Sequence, residues 1–95
     1  MRVRECFLLG VVNTKTGYSC SAIFSKRITR DKALKVLSKK NFWGIDEEAL
    51  FLPMIPVLEK MSNKDFEVRG IFTSKTFFFK EIERSLTVEK SVIWL

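Results

Sequence analysis

The chain contains no histidine in its 95 residues. That absence removes the commonest general base near neutral pH, and with it the Ser/His and Cys/His dyads and most zinc sites. Glycine is scarce as well, and Gly10, Gly17, Gly44 and Gly70 stand far apart. No glycine-rich loop is available to cradle a phosphate, and the Walker A pattern is missing. Cys6 and Cys20 are the only cysteines and lack a CxxC spacing. A hairpin that turns near Lys15 sets Cys20 opposite Gly10 and Cys6 opposite Phe24, so the two thiols do not meet. Both read as small buried hydrophobes in a reducing compartment. Cys6 also lies within an apolar run, which argues against a catalytic nucleophile.

The opening segment MRVRECFLLGVV pairs two arginines with an apolar run. The run is too short to span a bilayer and has no signal-peptide cleavage pattern. A cytoplasmic protein without membrane contact is therefore expected. Carboxylates cluster at Asp46/Glu47/Glu48 and at Glu81/Glu83, with Asp65/Glu67 between. Glu81, Glu83 and Lys80 are the residues from which a magnesium site would be built. Their spacing matches no nuclease signature, and such paired acids usually sit on a surface. The chain is expected to be non-catalytic, with no cofactor and no metal.

Positive charge is present in excess, with 17 Lys and Arg against 11 Asp and Glu. It is unevenly placed. Residues 1–44 hold ten basic residues against Glu5 and Asp31, whereas residues 45–95 hold seven against nine acids. Kept apart in space, two such halves make a polarised surface suited to nucleic acid, to an acidic partner or to head-to-tail association.

The basic half concentrates in SKRITRDKALKVLSKKNFW, Ser25 to Trp43. Thr29 is a good N-cap, and Ile28 is placed to staple onto Ala33. Ala33, Leu34 and Leu37 then fall on one helical face, bordered by Val36, while Lys32, Lys35 and Lys39 fall on another. The spacing predicts a helix of about Arg30 to Lys40, apolar beneath and cationic above. Arg27, Arg30, Lys32, Lys35, Lys39 and Lys40 are the candidate phosphate contacts. Trp43 and Tyr18 are the candidate stacking residues. The plainer reading is a solvated face whose lysine stems cover apolar neighbours, with Phe42 and Trp43 buried.

Around that helix the patterning predicts a single small α+β domain over residues 1–95. Val3 to Val12 reads as a strand apolar on both faces, hence an interior strand covered on both sides. Asn13 to Gly17 is a hairpin loop. Tyr18, Cys20, Ala22 and Phe24 then alternate with Ser19, Ser21, Ile23 and Ser25, as in a strand packed on one face only. Pro53 and Pro56 forbid one continuous helix from Leu50 to Met61. They fit an irregular turn followed by a helix of about Met54 to Ser62, with Ile55, Leu58 and Met61 inward.

Phe66 to Phe72 reads as a third strand and Thr73 to Thr76 as a tight connection. Phe77 to Glu83 favours a strand, although Phe79 to Leu86 also has helical spacing. Leu86, Val88, Val92 and Trp94 alternate as a last strand. The expected order is ββααβββ, a mainly antiparallel sheet with helices on one face.

Two partner classes follow. The first is nucleic acid, RNA ahead of DNA, held through phosphates. The second is an acidic or nucleoprotein partner, since a compact, aromatic-rich chain without catalytic groups resembles in make-up small inhibitors or adaptors of phage or mobile-element type. In that reading Phe77 to Phe79 and Trp94 anchor the contact. A homodimer through a C-terminal strand edge at Ile93 to Leu95 is the third expectation.

Overall fold

The computed structural model describes residues 2–39 and 44–94. Asn41, Phe42 and Trp43, together with Lys40, lie outside the described residues, as do Met1 and Leu95. Four strands form one antiparallel sheet. They are β1 (Val3–Asn13), β2 (Ser19–Phe24), β3 (Thr73–Phe79) and β4 (Arg84–Trp94), in the spatial order β2-β1-β4-β3. Between β2 and β3 the chain forms helices α1 (Arg30–Leu37), α2 (Ile45–Phe51) and α3 (Met54–Lys60).

All the helices pack on one face of the sheet. Leu9 and Val11 pair with Val88 and Leu86, and these four meet Ile28, Ala33, Leu37, Leu50, Phe51, Met54, Leu58, Met61 and Phe66 in a single buried cluster. The α+β architecture, antiparallel with helices on one side, follows from that arrangement. Among the described residues no helix is long and apolar enough to cross a membrane.

The opposite face of the sheet is bare, which corrects the expectation that β1 is covered on both sides. β1 is interior only within the sheet. On its uncovered face Leu8 and Val12 are half-buried, and Ile23 and Phe78 stand exposed among Ser19, Ser21, Thr76, Thr87 and Ser85. Continuous apolar character here reflects a central position in the sheet rather than two packed layers.

The hairpin register also differs from expectation by one residue. Asn13 Oδ1 accepts from the N–H groups of Lys15 and Thr16, at 3.0 and 3.1 Å, and the Asn13 N–H donates to the Tyr18 carbonyl at 2.8 Å. The asparagine thus closes a four-residue loop, with Gly17 at a φ of 81° where a side chain would be strained. Cys20 therefore pairs with Val11, not Gly10, and Phe24 pairs with Phe7, not Cys6. Because side chains alternate across a strand, Cys6 and Cys20 lie on opposite faces of the sheet.

The largest correction concerns residues 66–79. Instead of a strand, Asn63–Phe66 is a 3₁₀ turn closed by a capping box between Ser62 and Asp65, which drops Phe66 into the core. The segment expected to be a connection, Thr73 to Thr76, begins β3. The strand ends at Phe79 in a second 3₁₀ turn, Lys80–Ile82, so residues 79–86 form no α-helix. Phe77 and Phe79 pack toward the core and stack on each other, with ring centroids 6.5 Å apart, leaving Phe78 alone outside. The C-terminal strand is central rather than peripheral, since β4 lies between β1 and β3. Only Ser91 to Trp94 run past the start of β3.

The helices hold closer to expectation. Pro53 and Pro56 both fall at the start of α3, where no helical N–H is required. The turn before it is regular enough to count as α2, with Gly44 at its N-cap. Met54, not Ile55, takes the buried position at the start of α3.

Candidate nucleic-acid interface

Helix α1 is held at its start by three contacts. The Thr29 hydroxyl accepts from the Lys32 N–H at 3.3 Å, and Ile28 and Ala33 are buried on either side of the cap. The Asn63 side chain, from the 3₁₀ turn, accepts the Arg30 N–H at 2.9 Å. The helix ends earlier than predicted, at Leu37, and at its C-cap the N–H and the hydroxyl of Ser38 both donate to the Leu34 carbonyl. Its apolar face is Ala33 and Leu37, with Leu34 and Val36 half-buried.

The opposite face carries Lys32 and Lys35, and Lys39 follows the C-cap, all three exposed. Lys32 Nζ donates to the Arg27 carbonyl at 3.0 Å, which steadies the ammonium without neutralising it. Arg30 leans on Asp31 at 3.4 Å, an exposed pair of small worth. Arg27 follows Lys26 on the exposed bend between β2 and α1. Arg27, Lys32, Lys35 and Lys39 are thus brought along one stretch of surface, whereas Arg30, three and seven residues before the buried Ala33 and Leu37, lies on the side of α1 turned away from the lysines. The other two candidates on this stretch, Lys40 and Trp43, fall outside the described residues.

Tyr18 is not part of that stretch. It lies at the hairpin end of β2, whereas Lys26 and Arg27 follow the other end, a strand length of about 20 Å away. Tyr18 shares a groove of about 340 Å³ with Asn13, Asp46, Ala49, Leu50 and Arg84. Its phenol is held above its ordinary pKa, first by desolvation, then by the charge and hydrogen bond of Glu47, and by Asp46. A base stacked on Tyr18 would carry its phosphate toward carboxylates.

This placement belongs to a wider separation of charge. The cross-strand row Phe24, Phe7, Lys90 and Thr73 marks one end of the sheet, and Asn13, Arg84 and Phe79 mark the other. At the first end lie Arg2, Arg4, Lys26 and Arg27 on one flank and Lys64, Arg69 and Lys75 on the other, with Lys90 between. At the second end lie Asp46, Glu47 and Glu48 in the first turn of α2, and Glu81 and Glu83 around the second 3₁₀ turn. The two portions of the sequence do not stay apart: β4 pairs with β1, and Lys64, Arg69, Lys75 and Lys90 of residues 45–95 lie at the basic end. What is separated along the strand direction is the acidic group Asp46, Glu47, Glu48, Glu81 and Glu83 from the basic end.

Two grooves open at the basic end. One, of about 470 Å³, is lined by Lys64, Glu67, Arg69, Gly70, Thr73 and Lys75 among others. The second, of about 720 Å³, lies between Arg2, Val3, Arg4 and Glu5 on β1 and Ser25 and Lys26 after β2. Sequence reasoning missed the second groove, although its signal was present. The arginines of MRVRE alternate, and residues two apart on a strand share a face. Among the described residues, no three His, Cys, Asp or Glu side chains gather as metal ligands do.

Comparison with known protein families, curated proteins and solved structures finds no match for the chain. Function is therefore argued from the geometry alone.

Proposed function

We propose that the chain is a non-catalytic nucleic-acid-binding module, RNA ahead of DNA, that holds phosphates on the exposed face of α1. The observation that carries this reading is the run of exposed cations Lys32 and Lys35 on one face of α1, continued by Lys39 just past its C-cap and by Arg27 before its start. Lysines three residues apart are about 4.5 Å apart along a helix axis, a spacing that lets neighbouring ammonium groups meet successive phosphates. Asp46, Glu47, Glu48, Glu81 and Glu83 lie at the far end of the sheet, so a strand lying along α1 meets only Asp31, in the first turn of the helix, as a nearby acid of that helix.

Among the described residues, α1 offers cations for phosphates and no aromatic side chain for bases. Tyr18 lies among carboxylates, and Phe78, the exposed aromatic of β3, stands on a sheet face whose charged side chains are Arg4 and Glu89. The module therefore has little sequence preference. Charge reversal at Lys32, Lys35 and Lys39 tests the reading. The triple Lys→Glu variant, with its fold verified by circular dichroism, is expected to lose binding to mixed RNA and DNA. Undiminished binding by that folded variant overturns the assignment of the surface.

A further inference from the structure

The second basic groove has a feature that phosphate binding does not use. β2 pairs with β1 only as far as Phe24 opposite Phe7, and the chain then bends away at Ser25 and Lys26. Val3 to Cys6 continue to pair with Trp94 to Ser91 of β4 on their inner side. On their outer side, no described residue pairs with them. The groove lined by Arg2, Val3, Arg4, Glu5, Ser25 and Lys26 is the space that β2 would occupy had it continued.

An unpaired strand edge presents N–H and C=O groups alternately. Here the edge is framed by Arg2 and Arg4 along β1 and by Lys26 across the groove. Glu5 is the single acid lining the groove and also meets Lys90 at 3.6 Å, so three cations against one carboxylate leave the groove net positive. Cationic side chains and a bare strand edge together select for a ligand. A DNA backbone offers phosphate acceptors to the arginines but no donors to the edge carbonyls, and an RNA backbone adds only its 2′-hydroxyls as donors. An extended peptide supplies both donors and acceptors, and its acidic side chains meet the cations.

We infer that this edge of β1 binds an extended acidic peptide segment as an added strand in the position vacated by β2. The free stretch is short, so the recognised core is four or five residues. Side chains of an added strand alternate between faces, and Arg2 and Arg4 lie on one of them. Acidic residues are therefore favoured at every second position. Backbone pairing provides the register, and the cations provide the charge selection. The site is separate from the α1 face and stands whether or not that face binds nucleic acid.

The test uses isotope-labelled full-length protein at physiological salt and three probes. These are an end-capped Glu-Val-Glu-Val-Glu peptide, its fully N-methylated counterpart, and a single-stranded oligonucleotide. The unmodified peptide is expected to slow amide exchange at outward-facing positions within residues 3–6, and the N-methylated peptide to leave it unchanged. Lys26→Glu and Arg4→Glu, each checked for a wild-type spectrum, should each weaken peptide binding by about tenfold, the scale of one lost charge contact. The Lys32/Lys35/Lys39→Glu variant should retain peptide binding, which separates this site from the α1 surface. Equal binding of the N-methylated peptide overturns strand addition. So does absence of peptide binding, or protection of residues 3–6 by the oligonucleotide alone.

Discussion

Arg84 donates from Nε to the carbonyl of Leu50 at 3.0 Å, and this one bond ties the start of β4 to the last turn of α2. The rest of the guanidinium completes the clasp. Nη2 reaches the Ala49 carbonyl at 3.3 Å, and Nη1 reaches the carbonyls of Ile82 and Glu83 at 3.0 and 3.1 Å. Two carbonyls at a helix C-terminus and two in the turn before β4 are thereby satisfied by one planar group, at the negative end of the helix dipole.

Arg84→Ala should destabilise the fold by about 2–3 kcal/mol, since hydrogen bonds from a charged donor are worth more than neutral ones and their loss strands part-buried carbonyls. Arg84→Lys should recover less than half of that, because an ammonium cannot span four acceptors. Urea denaturation of the three proteins provides the comparison.

Among the described residues, two non-glycine residues adopt left-handed backbone, one on each side of β3. Phe72 has φ 64° and Glu83 has φ 54°. Phe72 is 72 % exposed, so its ring contributes little packing to offset the strain of a bulky residue there. Phe72→Asn should leave the protein as stable or stabilise it by up to about 1 kcal/mol. A β-branched residue at Glu83, as in Glu83→Val, should cost about 1–2 kcal/mol. Thermal melts read both signs.

The helix faces make a sharper packing forecast. Met54 and Leu58 are fully buried, whereas Ile45 is 86 % exposed and Leu52 46 %. Met54→Ala or Leu58→Ala should each cost about 2–5 kcal/mol through the cavity left behind. Ile45→Ala and Leu52→Ala should stay within about 0.5 kcal/mol of the wild type. All four changes remove an apolar side chain of similar size, so a difference in outcome reports which face is inside.

Tyr18 is the only tyrosine in the chain, so tyrosinate absorbance follows a single titration. Its pKa is raised, which means the neutral phenol is favoured in the folded state. The stability this contributes is fully present below the ordinary tyrosine pKa of about 10 and is lost as pH rises through the higher folded value. Glu47→Gln removes one of the groups that oppose ionisation, and should bring the titration back toward its ordinary position.

Much of this was legible from side-chain periodicity. The period-2 alternation marks the core at Cys20 and Phe24 but not at its first member, Tyr18, which precedes β2 and is exposed, while the 3.6-period face of Ala33 and Leu37 marks it correctly, because burial is what creates such patterns. Residues 66–79 were not legible for the same reason. Phe66 and Val68 mimic a strand, but a capping box at Ser62 and Asp65 buries Phe66 from a turn. The true strand, TSKTFFF, lies at the sheet edge with most of its residues exposed, so burial imposes little pattern on it. Hairpin register depended on Asn13 closing the loop with its side chain, a local bond that composition does not announce. For the candidate site, the lysine face of α1 was plain from spacing. The separation of charge along the strands needed the fold, because it depends on β1 and β2 diverging where Arg2, Arg4 and Lys26 meet.

The central claim, that the α1 face holds phosphates, is most directly tested by the salt dependence of RNA binding. Three lysines that each neutralise one phosphate on a single strand predict a slope of log affinity against log salt of about −2 from α1 alone. Wild type should show at least that slope, and the Lys32/Lys35/Lys39→Glu variant should lose it together with binding. Absence of binding to RNA and DNA at low salt would contradict the claim, as would a folded triple variant that keeps the wild-type slope.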